Sequence, residues 1–282
     1  MSDAKISKKI MTFAVIGAAL FMSALRCAVV ITKMEKNLVD ENAYYLPGGK
    51  AVTAFALGTL AVCLAFTAVS FRIGRRKISV YDTSNVPSSA AGLTYAFTLI
   101  CLAALYVYFV ISGRLQKSVA EIILAVVTLA SGLFYFMRFG AKNRSAEKLA
   151  VPALLPIIYC AVRLLSEFMQ KSAAPMESSG AYHILSLAAA LLFFFAEGRS
   201  LVGPQSLSLY LAYGSVSTIL LLIYAIPNLV IHGLGLLEFD YYAFTSLGDI
   251  FMAAYICARM ISCGVAPKAA EESGESPEAK SA

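Results

Sequence analysis

Apolar stretches of about twenty residues recur along almost the whole chain, and that recurrence limits the fold more than any other feature. A helix needs about 20 mainly apolar residues to cross a bilayer. Eight stretches approach or exceed that length: 10–32, 51–71, 90–112, 119–138, 149–170, 182–201, 208–230 and 242–263. Inside hydrocarbon every backbone N–H and C=O has to be satisfied within its own segment, so repeated runs of this kind fold as packed helices. The expected fold is an all-α membrane protein, a bundle of about eight transmembrane helices. Only short connections and two tails lie outside the runs, so residues 1–263 read as a single polytopic transmembrane domain. The remainder, 264–282, is small, polar and acidic, the composition of a disordered cytoplasmic tail. Charge agrees: 14% of residues are charged, against roughly 25% in soluble domains.

Basic residues set the expected topology. Of 23 Lys and Arg, fifteen fall on the side of the N-terminus if eight spans alternate, six fall on the other side, and Arg26 and Arg163 lie within spans. The positive-inside rule then places both termini in the cytoplasm, in a membrane of the bacterial cytoplasmic type. The cluster Arg72-Ile73-Gly74-Arg75-Arg76-Lys77 is a topology signal of this kind, and the lipid bilayer, not nucleic acid, is the partner it implies. Arg26 sits late in the first run and no small-x-small site precedes a polar start, so that run reads as a retained helix. With no tryptophan in the chain, tyrosines such as Tyr44-Tyr45 and Tyr241-Tyr242 have to supply the interfacial aromatic belt. Alanine, glycine and threonine crowd the second run (Ala54, Ala56, Gly58, Thr59, Ala61), and small residues let helices approach closely in lipid. That run is therefore expected inside the bundle.

The even-numbered runs each end with an arginine on the same side: Arg72, Arg138, Arg199 and Arg259, spaced by 66, 61 and 60 residues. This is the spacing of four helical hairpins of one orientation, a parallel repeat of the kind some transporters use. Evenly sized hairpins closed by topology-setting arginines produce the same spacing without a common ancestor.

Catalytic signatures are missing. The cysteines (Cys27, Cys63, Cys101, Cys160, Cys257, Cys263) lie almost entirely within runs and form no CxxC pair, so they read as small packing residues, with neither disulfide framework nor metal site. Gly214-Ser215-Val216-Ser217 has no histidine at its depth to activate a serine. There is no HExxH, phosphate-cradling loop or paired-aspartate motif. Enzyme activity and cofactors are not expected.

What remains is polar chemistry in the wrong solvent. Arg163 and Glu167 sit four residues apart in the fifth run, on one helical face where they can pair. Each ionisable group at membrane depth costs roughly 2.5–3.5 kcal/mol on insertion scales. Arg26 and Asp249 fall at similar depth in other runs, so the layer holds two positive and two negative charges, the neutrality a desolvated cluster needs. Asn228 follows Pro227, whose ring frees a backbone carbonyl for another donor, and Pro152 and Pro156 promise kinks or unwound turns. Arg26, Arg163, Glu167, Asn228 and Asp249 are thus the candidate ligand-binding residues, with Glu121, His183 and His232 at the rim. The ligand expected is a small polar or zwitterionic solute, the function a small-solute transporter or solute-binding membrane component. The competing reading is a sensory or accessory protein acting through partner helices. Its buried charges would be purely structural, with Arg26 or Arg163 paired to Asp249 across helices. Glu197-Gly198-Arg199 reads as a local pair closing the sixth helix.

Overall fold

The computed structural model describes residues 2–35, 50–73, 77–78, 86–113, 119–140, 149–172, 178–203, 205–235 and 241–263. Tyr44-Tyr45, most of the 72–90 connection and the tail 264–282 lie outside the described residues. Eight long helices account for nearly all of what is described: α1 (Ser2–Glu35), α2 (Lys50–Ile73), α3 (Val86–Ile111), α4 (Val119–Gly140), α5 (Leu154–Ser172), α6 (Ser178–Val202), α7 (Leu207–Gly233) and α8 (Tyr241–Ser262). Seven of these are long and apolar enough to cross a membrane. The exception is α5, which carries Arg163, Glu167 and Lys171 within 19 residues. The chain is a multi-pass helical membrane protein. Among the described residues a two-residue antiparallel pairing, β1 (Lys77–Ile78) against β2 (Gln205–Ser206), interrupts the helical pattern.

Six helices close a ring. α3 packs on α4, α4 on α5, α5 on α6, α6 on α7, α7 on α8, and α8 returns to α3. α1 lies along α7 and α8, and α2 covers α7 and α1 from outside. Glycines permit the closest approaches: a Cβ on Gly248 would stand 2.5 Å from Leu102 Cδ1, and one on Gly132 would stand 3.1 Å from the Ala96 carbonyl oxygen. Helices in lipid associate through close packing of this kind. Of the seven apolar helices α7 is the most deeply buried and α2 the least. The expectation that α2 is interior therefore fails. Ala54, Gly58 and Ala61 share one stripe at i, i+4, i+7, but Ala54 and Ala61 are exposed and Gly58 is only half-buried, so that stripe is not the face α2 turns to its neighbours.

Outward-facing Phe13, Leu57, Phe97, Val126, Phe168 and Phe195 are exposed, an apolar surface too extensive for water and suited to lipid. Many hydroxyls close bonds within their own helix, among them Thr12 to the Lys8 carbonyl, Ser23 to Ala19 and Thr128 to Leu124. The buried Lys8 ammonium donates to the Cys263 carbonyl at the end of α8. The start of α1 and the end of α8 thus share one end of the bundle, called here the N-terminal end; the other is the distal end. Pro152 lies in a turn at 151–153 before α5 starts, where the Leu155 N–H meets the Pro152 carbonyl at 3.0 Å. Pro156 falls in the first turn of α5, where a missing N–H costs nothing.

Candidate functional site

Two buried charged layers lie inside the ring. The distal layer is built on α5. A helical period of 3.6 puts Tyr159, Arg163 and Glu167 on one stripe, and that stripe faces α6 and α8. Arg163 meets Asp249 of α8 in a fork, Nη1 to Oδ1 at 2.5 Å and Nη2 to Oδ2 at 2.9 Å. Arg163 Nη1 also donates to Tyr159 Oη at 3.2 Å. Bidentate guanidinium–carboxylate geometry is the strongest form of this interaction. Arg163 keeps 4% of its surface and Asp249 none. Sequence spacing suggests a local pair between Arg163 and Glu167, but the ion pair crosses helices to Asp249. The i,i+4 geometry permits contact without selecting it.

His183 of α6 occupies the centre of the layer, not its rim. Its surface is wholly buried, and its ring stacks on Tyr224 of α7 with centroids 4.0 Å apart and planes 4° from parallel. Nε2 stands 3.2 Å from Arg163 Nη2 and 3.5 Å from Asp249 Oδ2, while Nδ1 stands 3.3 Å from Glu167 Oε2. A guanidinium only donates, so Nε2 accepts from Arg163 and the ring proton belongs on Nδ1, near Glu167 Oε2 but out of line for a hydrogen bond to it. With a neutral ring the four groups Arg163, Glu167, His183 and Asp249 sum to one negative charge. One further proton, on His183 or Glu167, brings them to neutrality. Among the described residues no group of His, Cys, Asp and Glu is disposed to hold a metal ion, and a guanidinium sits where a cation would bind.

Arg26 takes another role. Its Nη1 donates to the Ile223 carbonyl at 3.1 Å, and its guanidinium lies over the Tyr182 ring, 4.5 Å from the centroid. Ile223 is four residues before Pro227, which has no N–H to offer it. Arg26 thus supplies the donor that proline removed. Of the two arginines that could pair with Asp249, Arg163 takes the carboxylate and Arg26 does not. Asn228 ties α7 to α8 by donating Nδ2 to Ser246 Oγ at 2.6 Å, and Ser246 also hydrogen-bonds Tyr224. His232 holds the Asn228 carbonyl of its own helix at 2.7 Å. Glu121 sits half-buried in the first turn of α4, beyond every contact of Arg163, His183 and Asp249.

The second layer lies toward the N-terminal end. Glu197 Oε1 of α6 accepts from Arg138 Nη2 of α4 at 3.0 Å, Arg259 Nε of α8 at 2.7 Å and Tyr255 Oη at 2.8 Å. Arg259 Nη1 reaches Ser88 Oγ on α3 at 3.0 Å. Arg138 also lies near the Phe134, Tyr135 and Phe139 rings, 5.0–5.9 Å from their centroids. Sequence reasoning misses this layer. It pairs Glu197 with Arg199, which is exposed, and reads Arg138 and Arg259 as topology signals. The available clue is register: Glu197 follows Phe193 and Phe194 on the inward face, two positions before the outward Arg199.

Comparison with protein-family models, curated proteins and solved structures found no match for this chain. The class it belongs to, a multi-pass helical membrane bundle, rests on its own helices.

Proposed function

We propose that this protein binds and carries a small polar or zwitterionic solute across a bacterial-type cytoplasmic membrane, with the distal layer as its site. In this reading eight helices span, α5 included, both termini are cytoplasmic, and the distal layer lies in the outer half. The observation that carries the proposal is the meeting of Arg163, Glu167, His183 and Asp249 from three helices at one buried point. Arginine and paired carboxylates offer both signs of charge, as a zwitterion requires. A bundle needing only register would manage with one ion pair; here an aromatic-stacked imidazole and a second carboxylate are added. Glu167, 7% exposed, and half-buried Asn228 mark the approach from the distal side. Antiparallel packing within α3–α4, α5–α6 and α7–α8 supports hairpins as the repeating unit.

The test is ligand-induced stabilisation of the purified chain. A panel of amino acids, betaines and small polyols is screened for an upward shift in Tm, on the parent and on Asp249→Asn and Glu167→Gln. A solute that stabilises the parent and fails on a folded variant supports the site. If no solute shifts the parent, or the shift survives both substitutions, the layer is structural and the accessory role takes its place.

A further inference from the structure

The two charged layers are separated by an aromatic plug. Asp249 and Arg259 are ten residues apart on α8, about 15 Å at 1.5 Å per residue. Tyr95 of α3, Tyr135 of α4, Phe194 of α6 and Tyr255 of α8 fill that interval. The Tyr95 ring centroid lies 5.2 Å from Tyr135 and 5.5 Å from Tyr255, and Tyr135 lies 5.0 Å from Tyr255. Phenylalanine would pack the same space. Three of the four rings instead carry hydroxyls, and their partners are unequal. Tyr255 donates to Glu197, whereas the hydroxyls of Tyr95 and Tyr135 have no hydrogen-bond partner among the described residues although these residues are 1% and 0% exposed. An unsatisfied buried hydroxyl carries the full desolvation penalty of its polar group.

The placement of these hydroxyls is directional. Tyr95 lies within electrostatic reach of Tyr159, Cys160 and Arg163 on α5 and Asp249 on α8. Tyr135 is within reach of Tyr255 on α8, Glu197 on α6, Cys160 on α5 and Tyr95 on α3. The charges acting on Tyr95 are those of the distal layer, and the one acting on Tyr135 is Glu197 of the N-terminal layer. We infer that water is held at Tyr95 and Tyr135, completing a polar track from Asp249 to Glu197 along which protons pass between the two layers. Water satisfies buried polar groups of this kind, typically with two to four hydrogen bonds. At the distal end His183 stands between the two carboxylates, Nδ1 3.3 Å from Glu167 Oε2 and Nε2 3.5 Å from Asp249 Oδ2. Each hydroxyl or water accepts one proton and passes on another, so no group changes net charge after transit. The track does not depend on any solute being carried.

Two measurements test it. In the first, the full chain in lipid nanodiscs is exposed to radiolysis in 18O-labelled water, which oxidises side chains beside held water. Tyr95 and Tyr135 are expected to take up label at least about fivefold faster than Phe194, a ring equally buried with no polar atom for water to bond. Equal labelling overturns the proposal. In the second, proteoliposomes carrying a pH-sensitive dye are given a pH step. The parent is expected to pass protons, and the Tyr95→Phe/Tyr135→Phe double variant to pass them about tenfold more slowly, because each lost hydroxyl breaks the chain of donors and acceptors. Proton passage absent in the parent, or unchanged in the double variant, overturns the proton path even where labelling succeeds. Neither readout involves solute binding, so the track and the solute site fail separately.

Discussion

The two buried layers solve the same problem in different ways. In the distal layer one guanidinium faces one carboxylate in a fork, and a second carboxylate faces an imidazole. In the N-terminal layer a single carboxylate oxygen accepts from two guanidiniums and a phenol. The first is divisible: Arg163 has its own carboxylate in Asp249, and His183 stands beside a second one in Glu167. The second is a hub, in which everything rests on Glu197 and α4, α6 and α8 are tied at once. A divisible cluster suits a site that changes state. A hub suits a clamp that holds the ring closed.

The comparison is sharpest where substitutions strand charge. Glu197→Ala leaves two guanidiniums without their shared acceptor and should cost at least about 5 kcal/mol, at or above the upper end of the range for breaking a buried pair. Thermal or denaturant unfolding in micelles measures it, and a smaller loss than for Asp249→Ala would reverse the assignment of clamp and site. Asp249→Ala strands one guanidinium and should cost about 3–5 kcal/mol, while Arg163→Leu/Asp249→Leu should return to within about 1–2 kcal/mol of the parent. Pairing Glu197→Leu with removal of only one arginine should give no such recovery. An equal recovery at both layers would erase the distinction between fork and hub.

Arg26 offers a finer test. Arg26→Met should cost about 1.5–3 kcal/mol through the lost charged hydrogen bond to Ile223. In a Pro227→Ala background the backbone N–H restored at that position takes the Ile223 carbonyl, so the same substitution should cost less than half as much. Independent effects in this double-mutant cycle would mean that Arg26 acts through contacts other than the Ile223 carbonyl, the Tyr182 ring among them. The smallest effect belongs to two of the four arginines that close the even-numbered runs. Arg72→Gln and Arg199→Gln, both exposed, should change stability by no more than about 0.5 kcal/mol. Arg138→Gln and Arg259→Gln should be severe by the same assay, splitting a sequence pattern into two physical roles.

Legibility followed solvent. Arg163 and Asp249 stood out because a charge in mid-span is costly wherever the helix packs, so their presence alone marked the distal layer. His183 and Glu197 lie near the ends of α6, where a polar residue in a sequence carries no such cost. Only lateral packing buries them. The misplacement of α2 has the same origin: its stripe of small residues is visible in sequence, but which face a helix turns inward is decided by packing, and Ala54 and Ala61 stay exposed.

The sequence by itself determined that the chain is a helical membrane bundle and which segments form it, because bilayer thickness and backbone hydrogen bonding leave no other use for such runs. It also marked two of the residues that carry unavoidable cost. Tertiary structure decided which helices close the ring, that Arg163 chooses Asp249 over Glu167, that Arg26 serves the carbonyl freed by Pro227, and that Glu197 gathers two arginines. Those choices depend on distances of a few ångströms between residues as far as 197 positions apart in the chain. Helical periodicity fixes only the face each residue occupies, not the neighbour it meets there.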